Sequence, residues 1–284
     1  MKLIINIIGA GHLGKTLGYL LAQEPCVQIG AICNSSAMST NAAIKFIGNG
    51  VYCSNIGELP PADVTIIATP DDLITEVCVV LSKNPNLKKD SVVMHCSGTL
   101  SSEALSSVSK KGCFVASVHP MRSFAQPEIS VTQYQGTYCA LEGDEKAIPM
   151  VKSLFEKIGS ITYEIDKRKK SYYHAAGVFS SNYLITLAHQ ALCCMKEAGV
   201  DQEIAIPIIA NLMRGSISNL EKTLSPEHAL TGPIQRGDVA TIKQHMDALA
   251  DTEQKTLYSS LGKTTLTLTN HGSKKRRDIE EALN

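Results

Sequence analysis

Leu3-Ile4-Ile5-Asn6-Ile7-Ile8-Gly9-Ala10-Gly11-His12-Leu13-Gly14 is the stretch that decides the fold. A run dominated by β-branched residues feeds directly into G-x-G-x-x-G, and helical spacing starts at His12. Each glycine has a steric reason to be there. Gly9 permits the tight turn, Gly11 lets backbone approach a pyrophosphate, and Gly14 lets the helix pack on the strand. His12 and Leu13 open the helix, whose free N–H groups face the anion.

Outward from this turn, short apolar runs alternate with helical segments. Strands are expected at Leu3–Ile8, Val27–Cys33, Val64–Ala68, Ser91–His95, Phe114–Val118, Thr137–Leu141 and Ile161–Ile165. Helices are expected between them, at about Ala37–Ile47, Leu73–Leu81, Ser102–Val108 and Glu145–Ile158. The fold class is therefore α/β, a doubly wound and mostly parallel Rossmann-like sheet. After the basic cluster Lys167-Arg168-Lys169-Lys170 the period becomes helical, which puts a domain boundary between 166 and 167. Residues 1–166 form the dinucleotide-binding domain and 167–284 an all-α domain. One long helix is expected to run to Glu197, with Asp201 and Asp238 as N-caps of two more. Ser225–Gly237 reads as a loop, and the charged tail from Gly272 as a solvated, fraying end.

Composition narrows the function. Lys and Arg total 27 against 27 Asp and Glu, so the counterion release that drives nucleic-acid binding has no basic excess to draw on. The nine cysteines form no C-x-x-C pair and read as reduced core residues of a cytoplasmic protein. No metal site is expected. No run approaches the roughly 20 apolar residues that span a bilayer, and the start lacks a signal-peptide core.

The second strand ends in Asn34-Ser35-Ser36, where an NAD-selective turn would place a carboxylate on the ribose 2′-OH. Amide and hydroxyl groups without that repulsion favour the 2′-phosphate of NADP. Two histidines are candidates for acid/base work: His119, directly after a strand and so on the ligand-binding rim, and His174, near the start of the long helix. Asn182 lies two helical turns beyond His174. Thr231-Gly232-Pro233-Ile234-Gln235-Arg236-Gly237-Asp238 is a second constellation, either an interhelical loop or a place for Arg236 to meet an acidic ligand group. Tyr163 and Lys167 have the spacing of a short-chain dehydrogenase pair, but Tyr163 falls in a strand, which removes that reading.

Six motifs in order resemble one family: Gly9-x-Gly-x-x-Gly14, Ala68-Thr69-Pro70-Asp71-Asp72, His95-Cys96-Ser97-Gly98, His119-Pro120-Met121, Tyr173-His174-Ala175-Ala176 with Ser181-Asn182, and Leu230-Thr231-Gly232-Pro233-Ile234-x-Arg236-Gly237-Asp238. These are proteins classed as oxidoreductases with a Rossmann-like domain and a C-terminal helical domain of unknown function. Their architecture is similar to deazaflavin-dependent NADP oxidoreductases, pyrroline-5-carboxylate reductases, prephenate dehydrogenases and 6-phosphogluconate dehydrogenases. The resemblance implies that Ala68, Thr69 and Pro70 lie against the cofactor ribose and pyrophosphate, and Ser97 and Gly98 beside the nicotinamide. It implies a small carbonyl, imine or alcohol substrate between two domains, and a homodimer through the helical one. His119 or His174 would be the acid/base, Asn182 would hold the reacting atom, and Arg236 would pair with the substrate. Position 178 is Val, so the Lys-x-x-x-Asn pair of hydroxyacid dehydrogenases is not carried over. A non-catalytic module that senses the NADP redox state is the alternative.

Overall fold

The computed structural model describes residues 2–249 and 252–284. Two compact units divide the chain, residues 1–179 and 180–284. The first holds one sheet in the order β3-β2-β1-β4-β5-β6-β7-β8. Its strands are β1 (Leu3–Ile8), β2 (Val27–Cys33), β3 (Val51–Tyr52), β4 (Val64–Ile67), β5 (Val92–His95), β6 (Phe114–Pro120), β7 (Tyr138–Gly143) and β8 (Ile161–Glu164). From β3 to β6 all neighbours are parallel, β7 runs antiparallel to β6, and β8 is parallel to β7.

Burial on both faces explains the unbroken apolar runs. Ile5, Ile7, Ile66, Met94 and Val118 pack with Leu17, Leu21, Ile47, Val151 and Phe155 on one side, while Ile8, Ile67 and Val93 pack with Ile74, Cys78 and Leu105 on the other. Asn6 is the polar exception in β1. Its Oδ1 accepts from Ala31 N at 2.8 Å and its amide donates to Pro60 O at 2.7 Å, where the β1–β2 register shifts. A bulged ladder thus keeps its backbone groups satisfied.

Register sets a second polar feature. Ile67 pairs with His95, His95 with Ser117, and Ser117 with Glu142, so one line across β4 to β7 turns from apolar to polar. Paired residues share a face, and the polar half of this line needs a covering group.

Several expectations need correction. The first unit extends to 179 because Lys170 is buried in it, at 3% exposure, and Tyr173 bonds to β6. The expected long helix is Lys170–Gly177, then a π-helical turn over Val178–Asn182, then Tyr183–Glu197. Edge strand β3 is only two residues long and was not foreseen. The charged tail is an ordered helix, Ser273–Ala282, with Ile279, Ala282 and Leu283 buried against Ile242 and Leu266. Those three apolar residues lie at i, i+3 and i+4, a stripe masked by the charges around it.

The second unit also contains Gln202–Thr223, Val239–Ala248 and Thr252–Leu266. Asp238 caps its helix by accepting from Thr241 N at 3.2 Å, whereas Asp201 occupies the N-cap position without a side-chain bond. Two one-turn helices, Pro226–Ala229 and Pro233–Arg236, interrupt the expected loop. Five cysteines, Cys33, Cys78, Cys96, Cys113 and Cys139, are buried, while Cys26 and Cys194 are exposed. Among the described residues no helix is long and apolar enough to cross a membrane.

Candidate active site

The glycine turn has the geometry its spacing predicts. Gly9 adopts φ +84°, and a methyl group built there would stand 2.7 Å from Thr69 N. One on Gly14 would meet Gly9 O at 2.7 Å, so helix and strand touch through backbone alone. A methyl on Gly11 would meet nothing within 4 Å. Gly11 is the N-cap of His12–Ala22, and no side chain caps that helix. Free N–H groups therefore face open space, the arrangement that receives a phosphate.

The surroundings add detail. Asn34 Oδ1 accepts from Ala10 N at 2.6 Å, which ties the end of β2 to the turn. Ser36 caps helix Ala37–Ile47 by accepting from Ser39 N at 3.2 Å. Ser35 between them is exposed and projects no carboxylate or amine. His12 is exposed, its Nδ1 3.0 Å from Phe124 O, and Leu13 packs on the core. Ala68 N donates to Ile8 O at 2.8 Å, and Pro70 starts helix Asp71–Leu81 without a side-chain cap. Thr69 packs against Gly9 through its Cγ2 and backbone N, and its buried Oγ1 has no hydrogen-bond partner among the described residues.

Two strands further along, a second cluster forms around Gly98. A methyl group there would lie 2.6 Å from His174 Nδ1 and 2.9 Å from His119 Nε2. Only glycine lets both rings converge; their centroids are 6.0 Å apart. Tyr173 OH holds His119 Nδ1 at 2.9 Å and packs edge-on against the ring. The loop beneath is fixed from three directions. Ser97 Oγ donates to Asp71 Oδ2 at 2.6 Å, and Thr99 and Leu100 amides donate back to Ser97 Oγ at 3.1 and 2.9 Å. Ser97 N donates to His95 Nδ1 at 3.1 Å, so His95 Nε2 carries the proton given to Ser101 O at 3.0 Å.

The sequence gives no functional reading of Lys170, Glu142 or Ser117, and Tyr173 and Asp71 stand in the quoted motifs without an assigned role. Lys170 looked like one of four surface cations, and only its burial separates it from them. Tyr163 packs edge-on with Tyr138 and Tyr173, while Lys167 pairs with Glu103 at 2.7 Å, so those two have separate surroundings. Asn182 and Arg236 belong to the second unit. Asn182 is exposed and its carbonyl receives Thr186 Oγ1 at 3.4 Å; the Arg236 side chain is 64% exposed, with Asp238 Oδ2 at 3.9 Å. Among the described residues no three His, Cys, Asp or Glu side chains gather to hold a metal ion.

Residues 1–120 match a Rossmann-like domain family, and residues 137–265 match DUF2520, a domain of unknown function. The two matches follow one another along the chain, the Rossmann-like one first and the DUF2520 one second. The DUF2520 match begins at β7 and so supplies Glu142, Lys170 and His174, while the Rossmann-like match supplies Gly98 and His119. Protein TM1727 from Thermotoga maritima is similar over 98% of both chains, with 29% identity and a TM-score of 0.73. BF3122 of Bacteroides fragilis, designated an NADP oxidoreductase, has 20% identity and a TM-score of 0.73 over 94% of this chain and 98% of its own. An imine reductase from Myxococcus stipitatus, in complex with NAD+, has 14% identity and a TM-score of 0.67 over the whole of both chains. No curated protein matches the sequence.

Burial leaves a titration signature. It pushes His119 down to about 4, helped by the charge of Lys170 and by His174; burial likewise pushes His95 down to about 4. Both are ordinary histidines in the unfolded chain, which therefore binds protons the folded chain refuses between pH 6.5 and 4. Stability should be full above pH 6.5 and fall as pH drops toward 4, by on the order of 2–3 kcal/mol per histidine. Urea unfolding at stepped pH measures this, and His119→Gln should flatten the dependence by about half.

Proposed function

We propose that the chain is an NADP-dependent oxidoreductase acting on a small carbonyl, imine or alcohol. The observation that carries this reading is the convergence of His119 and His174 on Gly98, two strands from an open, uncapped glycine turn. NADP fits the residues present. Gly11 offers open space at free N–H groups, Thr69 Oγ1 lacks a partner, and Asn34–Ser36 presents no carboxylate to repel a 2′-phosphate. The bound nicotinamide supplies hydride transfer, and the protein supplies orientation and the proton.

His119, held neutral by burial, donates a hydrogen bond to the reacting oxygen or nitrogen. The acid/base role is assigned to His174, because His119, pushed to about 4, is mostly unable to carry a proton at neutral pH. Ser97 and Gly98 are assigned to the nicotinamide side of the site. Asn182 is assigned the holding of the reacting atom, and Arg236, largely exposed, an acidic group on the substrate.

The helical domain is assigned to homodimerisation. Helix Tyr183–Glu197 has no buried residue along its length, and Ile185, Leu212 and Ile204 are 69%, 63% and 57% exposed. A two-fold partner covering them removes apolar surface from water.

Three measurements test these assignments. In calorimetry, Ser35→Asp should weaken NADP tenfold or more while sparing NAD, from roughly 1.5–3 kcal/mol of lost hydrogen bonding plus repulsion. Gly11→Val should block both dinucleotides, and an unchanged NADP-to-NAD ratio in Ser35→Asp would refute the adenosine-pocket assignment. In NADPH oxidation with a panel of keto and imino compounds, His174→Ala should lose 10²–10⁴-fold in turnover; tight binding with no turnover in the unaltered chain would favour a redox sensor instead. Light scattering at micromolar concentration should give twice the chain mass, and a monomer would overturn the dimer.

A further inference from the structure

The polar line across the sheet ends under one side chain that the proposed chemistry does not use. Lys170 Nζ donates to Ser97 O at 3.0 Å and to Ser117 Oγ, and meets Glu142 Oε1 at 3.4 Å. Glu142 is itself buried and accepts from Ser102 N at 2.8 Å and Ser102 Oγ at 2.7 Å. Two of these contacts, and the position of Lys170 itself, touch pieces of the two-histidine site. Ser97 O belongs to the peptide that leads into Gly98, Ser117 lies two residues before His119 on β6, and Lys170 is one helical turn before His174. A buried amine with three donors can join three elements at one point, which no apolar side chain could do.

We propose that Lys170 is the positioning residue of this site, joining loop, strand and helix so that His119 and His174 converge on Gly98. The proposal rests on the oxidoreductase reading for its functional meaning, though its geometry stands apart from it. His119 is faced by Lys170 and His174 from the helix, by Asp71 from helix Asp71–Leu81 and by the Tyr173 hydroxyl, with Glu142 on β7 balancing Lys170. Lys170 and His174 oppose a proton on His119, and Asp71 favours one. Removing Lys170 together with Glu142 should therefore let His119 accept a proton more readily.

The test is Lys170→Met with Glu142→Gln in the full chain. It takes out both buried charges at once and so avoids leaving one uncompensated. Imidazole resonances followed by NMR between pH 3.5 and 8 should show the His119 midpoint rising by about one pH unit, with displaced Gly98 amide and His174 ring signals. A folded variant whose His119 midpoint and Gly98 amide match the unaltered chain would overturn the proposal, because a merely structural Lys170 would lower stability without moving either. Should the double variant not fold, Ser117→Ala removes a single partner of the amine. Displacement of the His119 midpoint or the Gly98 amide then supports the proposal, and no change in both overturns it. NADP binding measured on the unaltered chain keeps the two failures apart: no binding sinks the oxidoreductase reading, while the titration still decides Lys170.

Discussion

Strand register is the constraint on which the rest of this site depends. Because β6 and β7 are antiparallel with Ser117 opposite Glu142, a carboxylate from the last part of the sheet stands beside a hydroxyl from its middle. The parallel pairing of β5 with β6 adds His95 to the same line. A slip of one residue would turn all three to the opposite face, into the apolar cluster of Met94, Ala116 and Leu141. Burying this line without satisfying it would cost roughly 1–3 kcal/mol per polar group. Lys170 covers it, and that requirement fixes where the helix bearing Tyr173 and His174 can start.

The two halves of the first unit then solve different electrostatic problems with different means. At the glycine turn no charged side chain is needed. Aligned peptide N–H groups and open space above Gly11 suit an anion, and a Lys or Arg placed there would add attraction without the same directional fit. Around Gly98 the means are side chains, held by a second layer of hydrogen bonds. Ser97 is bonded to Asp71, His95, Thr99 and Leu100, so the loop between β5 and the next turn has little freedom. A loop so restrained can set a small opening between two rings, which a flexible one could not.

Local physics made much of this legible in the sequence. Gly9 and Gly14 report their own constraints, since each is explained by atoms close in the chain or in the adjoining strand, whereas Gly11 faces open space. His119 was visible as a residue at the end of a strand, and His174 through its motif. Lys170 and Glu142 were hidden for the same reason that they matter. Their identity depends on pairing between β6 and β7 and on a helix start, and a run of four cations gives no sign that one points inward. The final helix was hidden differently, because a charge-rich segment with three apolar residues at helical spacing reads as solvated until a partner surface is known.

An isolated buried Lys170–Glu142 pair need not stabilise the fold, because desolvating two charges can exceed their attraction. The contacts here change that balance. Glu142 receives both the amide and the hydroxyl of Ser102, and the amine is shared among a carbonyl, a hydroxyl and the carboxylate. Desolvation pulls the Lys170 amine below its ordinary range while Glu142 acts to hold it up. With the amine charged, a proton on His119 is opposed by burial, by Lys170 and by His174 together. The same cation that joins the three elements thus adds its charge to burial in opposing a proton on His119.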